Sequence, residues 1–214
     1  MNSNQLNVLA GLAVDGIAIL NVNSINQVDP FYPTGGFDQE GADQCLSHPT
    51  FQGEFHYHVA SGCILNPPVG NVTGCSPTIG CANNIANYSI GTFSNYKNLT
   101  VIGIAKDGHV IYGPYLSTGY QVTSGFDMCN GMFYDSIGNY GYFVTSTYPY
   151  ITGCFGPGNY PSFAPNCTTN GVTRYSMSSY ASTFVSSANS DSTIYFMSLM
   201  LSLIIMIATN NECA

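Results

Sequence analysis

Two short stretches of this chain carry the same alternation of apolar and polar positions. Gly11-Leu-Ala-Val-Asp-Gly-Ile-Ala-Ile-Leu20 and Gly103-Ile-Ala-Lys-Asp-Gly-His-Val-Ile-Tyr112 each run from an apolar segment through Asp-Gly into a second apolar segment. Asp-Gly tolerates the positive φ of a type I′ turn, so each stretch is predicted to be a tight hairpin. Further landmarks recur in the same order. Gly41-Ala-Asp-Gln-Cys45 corresponds to Gly125-Phe-Asp-Met-Cys129, and Phe55-His-Tyr-His-Val59 to Tyr140-Gly-Tyr-Phe-Val144. Each copy closes on Gly-Cys, at Gly62-Cys63 and Gly153-Cys154.

This order describes an internal duplication. The predicted architecture is mainly β: two pseudo-repeated β-rich lobes, about 8–65 and 100–156, packed into one sandwich- or barrel-like body within a domain over 8–165. Each lobe is too small to hide its own sheet, which is why the two should pack together. A Pro/Gly/Asn-rich insert, 66–98, joins them. Beyond the domain lie a Ser/Thr-rich stalk, 166–193, and a hydrophobic tail, 194–208, expected to be helical.

Composition narrows the setting. Apolar residues make up 45 % of the 214 residues and charged ones 7 %. A core can be buried, while the polar surface must come from Asn, Ser, Thr and Tyr. Only 3 Lys and Arg stand against 11 Asp and Glu, a net charge of −8. Such a chain cannot build the cationic face that binding nucleic acid requires. Eight cysteines in so charge-poor a chain point to disulfides and an oxidising compartment. Sequons at Asn71, Asn87, Asn98 and Asn166 agree with extracellular exposure.

The ends of the chain add to this. The polar start, Met1-Asn-Ser-Asn-Gln5, has no signal-peptide pattern, and the expectation is a start truncated from a longer precursor. The uncharged tail would span roughly 22 Å as a helix, short of the ~30 Å hydrocarbon core. It suits a lipid-attachment (GPI-anchor) signal. A short transmembrane helix is the rival reading, and either one places the protein at the cell surface with the membrane as a partner.

The sharpest candidate chemistry is Glu54-Phe-His-Tyr-His58. On a strand, residues i and i+2 share a face, so His56 and His58 point together while Phe55, Tyr57 and Val59 point the other way. Two imidazoles on one face can chelate copper or zinc, or act as an acid–base pair; packing side by side is the structural alternative. His48, His109, Asp15, Asp43, Asp107 and Asp127 are the groups available to complete a site. The second copy has Gly141 and Phe143 in place of the pair, so any such site should be single. Phosphate-binding loops, nucleophile elbows and His-Glu-x-x-His are lacking.

Taken together these segments resemble the YHYH-domain family. Phe55-His-Tyr-His58 is similar to its Tyr-His-Tyr-His signature. Ile102-Gly-Ile-Ala-Lys-Asp-Gly-His-Val-Ile-Tyr-Gly-Pro-Tyr115, Phe126-Asp-Met-Cys-Asn-Gly131 and Tyr140-Gly-Tyr-Phe-Val-Thr145 resemble its later segments, as do Tyr148-Pro-Tyr150 and Gly153-Cys154. Phe55 replaces the first Tyr, and Gly141 stands where the family often has His. The resemblance implies an extracytoplasmic domain and supplies no reaction. The duplication suggests the bonds Cys45–Cys63 and Cys129–Cys154, with Cys75–Cys81 as a local clip and Cys167 left over. The functional expectation is a surface module that binds an extracellular ligand or a metal; the alternative is a metal-dependent or acid–base enzyme using His56 and His58.

Overall fold

A computed structural model describes residues 9–24, 26–158, 170–171 and 175–184. Its elements are β1 (Leu9–Ala13), β2 (Ala18–Leu20), β3 (Ser47–Pro49), β4 (Phe55–Tyr57), α1 (Ile85–Thr92), β5 (Val101–Ala105), β6 (Val110–Tyr112), β7 (Gly131–Phe133) and β8 (Tyr140–Phe143). The Asp-Gly hairpins form, but not with type I′ turns. Only Gly16 and Gly108 take positive φ, at 88° and 91°. Asp15 and Asp107 instead accept the N–H two residues on, from Ile17 (3.0 Å) and His109 (3.1 Å). The result is an ordinary turn followed by a glycine bulge, which lets Asp serve as a turn acceptor without taking the left-handed conformation.

The eight strands form one sheet in the order β3-β4-β2-β1-β5-β6-β8-β7. This replaces the expected sandwich or barrel. Two sets of four strands share one pairing scheme: an antiparallel hairpin (β1–β2, β5–β6), a parallel pair (β2–β4, β6–β8) and an antiparallel outer pair (β3–β4, β7–β8). They join edge to edge through antiparallel β1–β5, with Leu12 opposite Ile104. Joining at an edge gives each half the backbone partners its inner strand lacks, without closing a barrel.

The seam requires glycine. A Cβ on Gly11 would stand 2.6 Å from the Ile104 carbonyl oxygen, and one on Gly103 2.7 Å from that of Leu12. On the same side, Ile19 and Ile111 reach across toward Gly103 and Gly11. They belong to the main core with Tyr57, Val59, Tyr142 and Val144, which α1 covers through Ile85, Ala86 and Ile90. The opposite face of the second half carries a smaller apolar cluster of Tyr112, Val122, Phe126, Met132, Phe143 and Tyr175. Tyr175 and Ala181, in the stretch expected to be a stalk, are buried.

Disulfides join Cys45 to Cys63, Cys75 to Cys81 and Cys129 to Cys154. Among the described residues, no helix is long and apolar enough to cross a membrane. The tail 194–208, Asn166, Cys167 and Cys213 lie outside the described residues.

Gly11→Ala is expected to lower stability by about 1–3 kcal/mol through forced separation of the seam. Gly41→Ala has nothing within 4 Å of its added Cβ and serves as the control in urea unfolding. Equal midpoints for the two variants would contradict the seam argument.

Candidate metal centre

The site begins with the loop that delivers β3. Asp43 Oδ1 accepts the N–H groups of Cys45 (2.8 Å) and Ser47 (2.9 Å), and its Oδ2 accepts the Ser47 hydroxyl (2.7 Å). Leu46 is driven to a φ of 67° in this turn, and the Cys45–Cys63 disulfide clamps it. β3 then pairs with β4 so that Ser47 faces Tyr57, His48 faces His56 and Pro49 faces Phe55. Directly opposed residues share a face. The register therefore sets His48 beside His56, while His58 follows two residues along on the same side.

Alternate residues of the Phe-His-Tyr-His segment do separate work. Tyr57 points into the main core, and its hydroxyl donates to Asp15 Oδ2 at 2.9 Å, tying β4 to the first hairpin turn. His56 and His58 are buried on the other face. Phe55 is exposed.

Candidate ligand nitrogens of His48, His56 and His58 all lie within 4.8 Å of one another. The backbone fixes the tautomer of His58 and biases that of His56. His58 Nδ1 is 2.5 Å from the Asn21 carbonyl oxygen, and His56 Nδ1 is 3.4 Å from that of Glu54. A carbonyl only accepts, so His58 Nδ1 carries the proton and its Nε2 is left as a lone pair, and the longer His56 contact favours the same tautomer there. Those Nε2 atoms face each other at 3.1 Å. Two neutral lone pairs at that distance repel unless a proton or a cation lies between them.

A proton there is unfavourable. Burial, reinforced by His56 and His48, pushes the His58 pKa down to about 3. Burial and then His56 hold His48 at about 4, although Asp43 opposes the shift. Burial also lowers His56, against its contacts with Glu54. His48 Nε2 is buried and makes no hydrogen bond. The Glu40 carboxylate is close by, with Oε2 3.2 Å from His48 Nε2 and 3.8 Å from His58 Nε2. Three imidazoles and a carboxylate thus line a cleft of about 340 Å³ together with Leu20, Thr50 and Phe51. Nitrogens bound tetrahedrally at ~2.0–2.1 Å would stand roughly 3.3 Å apart, close to the His56–His58 separation.

Of the groups available to complete the pair, only His48 joins it. His109 and Asp107 pair with each other in the other half, at 2.9 Å. Asp15 receives Tyr57, and Asp43 caps the β3 turn. Asp127 is buried as the matching cap of the second half, accepting N–H groups from Cys129 and Gly131. Glu40 was not legible from its spacing. It is carried in by a loop pinned through its N–H to the Pro30 carbonyl (2.7 Å). The sequon residues Asn71, Asn87 and Asn98 are exposed.

The family profile described as "YHYH protein" matches residues 1–125 of the 214-residue chain. No curated protein and no solved structure matches the chain.

Unfolded imidazoles take up protons near pH 6.5, whereas His48 and His58 resist until about 4 and about 3. Unfolding therefore binds protons, and stability falls as the pH drops through about 6.5 toward 4. In chelator, the melting temperature should fall between about pH 7.5 and about pH 5. The dependence should flatten in Leu20→Tyr/His48→Met/His56→Gly/His58→Phe, which copies the second half. An unchanged slope in that variant would remove these histidines as its source.

Proposed function

We propose that this chain, which belongs to the YHYH protein family, is an extracytoplasmic module that holds a copper or zinc ion on His48, His56 and His58. The observation that carries the reading is the convergence of three imidazoles within 4.8 Å, with two buried Nε2 atoms 3.1 Å apart and the His58 Nδ1 proton committed to the Asn21 carbonyl. A divalent ion removes the repulsion, and neutral imidazole suits either metal. Glu40 supplies a neighbouring oxygen, as a further ligand or as the carboxylate that offsets the charge.

The second half supports the assignment by contrast. Register and connectivity match His48 with Met132, His56 with Gly141, His58 with Phe143 and Leu20 with Tyr112. There the Tyr112 ring lies over Gly141, 2.9 Å from where a Cβ would stand, and stacks on Phe143 at 5.4 Å. The same scaffold is therefore stable with an apolar filling, so the histidines are not needed for packing as such. The acid–base alternative has less support, because groups held neutral down to about pH 3–4 are poorly matched to proton transfer near neutrality.

The disulfides and exposed sequon residues favour an oxidising, extracellular location, and the uncharged apolar sequence of 194–208 is what favours attachment to a membrane. The matching half-sheets favour an origin by duplication.

Elemental analysis of the full chain, dialysed against copper or zinc and then desalted, should find equimolar metal. Metal at 100 times its Kd should stabilise the fold by about 2.7 kcal/mol. The fourfold variant copying the second half should keep the circular dichroism of the parent and bind no metal. Glu40→Gln should weaken binding about 10–100-fold. Metal retained by the fourfold variant, or none in the parent, would overturn the proposal.

A further inference from the structure

The cleft above the histidines has a counterpart in the second half, and the two are filled differently. Thr50 corresponds to Tyr134: each directly follows its edge strand, and each N–H closes the turn, onto Glu54 (2.8 Å) and Asn139 (3.1 Å) respectively. The Tyr134 ring meets Phe143 edge to face, with centroids 5.8 Å apart, and Tyr112 likewise at 5.3 Å, with the two tyrosine hydroxyls 3.0 Å apart. In the first half the matching positions are Thr50, His58 and Leu20. A tyrosine ring thus stands, in one half, at the register position that Thr50 holds in the lining of the open cleft in the other.

From this correspondence we infer that the cleft takes the aromatic ring of a phenolic ligand, whose oxygen reaches the metal held by His48, His56 and His58. The inference rests on the metal reading and adds the class of ligand. The cleft volume of about 340 Å³ is at the small end of the ~300–1,000 Å³ of small-ligand pockets. Phe51 stands at its rim with 93 % of its surface exposed, free to stack on an incoming ring. A divalent ion facing a single nearby carboxylate favours an anionic oxygen donor. The phenol O–H breaks as its oxygen binds the metal, and the proton goes to solvent. A free phenol and a tyrosyl residue of a peptide present the same group.

The test uses copper-loaded full-length protein, with its copper content measured first. It is titrated with p-cresol, with N-acetyl-tyrosinamide, and with benzyl alcohol, which has the ring but no phenol. A saturable visible band from phenolate-to-copper charge transfer is expected with p-cresol and not with benzyl alcohol. A matching response to N-acetyl-tyrosinamide assigns the source to a tyrosyl residue; p-cresol alone assigns it to a free phenol. Thr50→Tyr, which places the second half's ring in the cleft, should retain equimolar copper and weaken p-cresol about tenfold. The Thr50 hydroxyl also accepts the N–H groups of Gln52 and Glu54. If Thr50→Tyr loses copper, Phe51→Ala decides, with a several-fold loss of p-cresol affinity expected. Copper bound but no band, or affinity unchanged in the deciding variant, overturns this inference and leaves the metal reading intact. A parent that binds no copper or zinc overturns both.

Discussion

The structure depends on the approach of two backbones at β1 and β5. Only hydrogen occupies the inner face of Gly11 and Gly103, so each carbonyl comes within 2.6–2.7 Å of where the other strand's Cβ would be. That contact converts two four-stranded pieces into one sheet. It also lets Ile19 and Ile111 cross the seam into a common core. Four short strands with one edge unpaired would bury little surface; eight in a continuous sheet share a core under α1. The histidines of the site are arranged on the outer strands of that frame and just beyond them.

Period-two alternation then separates stability from chemistry. On the inward face of the outer pairs one tyrosine recurs at the same register position, followed two residues later by a buried valine, Val59 or Val144. Tyr57 and Tyr142 each enter the core and donate to the Asp of their own hairpin turn, Asp15 and Asp107. Asp43 and Asp127 cap equivalent turns. The outward residues differ together: His48, His56 and His58 on one side, Met132, Gly141 and Phe143 on the other. The change is complementary in volume, since Tyr112 covers the space left by Gly141. One backbone therefore carries an apolar plug in one half and a polar, convergent site in the other.

The polar half carries an electrostatic tension that the apolar half lacks. The backbone carbonyl behind His58 turns its lone pair inward, and the longer contact behind His56 favours the same there. Burial disfavours the proton that would otherwise reconcile them. Glu40 brings a carboxylate to 3.2 Å from His48 without a hydrogen bond between them. A small cation resolves all three conditions at once, which is why geometry, more than residue type, argues for a metal.

The sequence by itself determined the hairpins, the shared face of His56 and His58, the duplicated landmarks and the use of cysteines in disulfides. These follow from short-range rules: strand alternation, Asp-Gly turn chemistry and composition. Only the tertiary structure decided that the halves join in one sheet, because that choice rests on a close approach that two glycines permit and do not announce. It also decided which group joins the histidine pair. His48 arrives through the β3–β4 register, and Glu40 through a loop pinned to Pro30. Neither follows from spacing, since cross-strand register and loop closure are set by contacts between residues far apart along the chain.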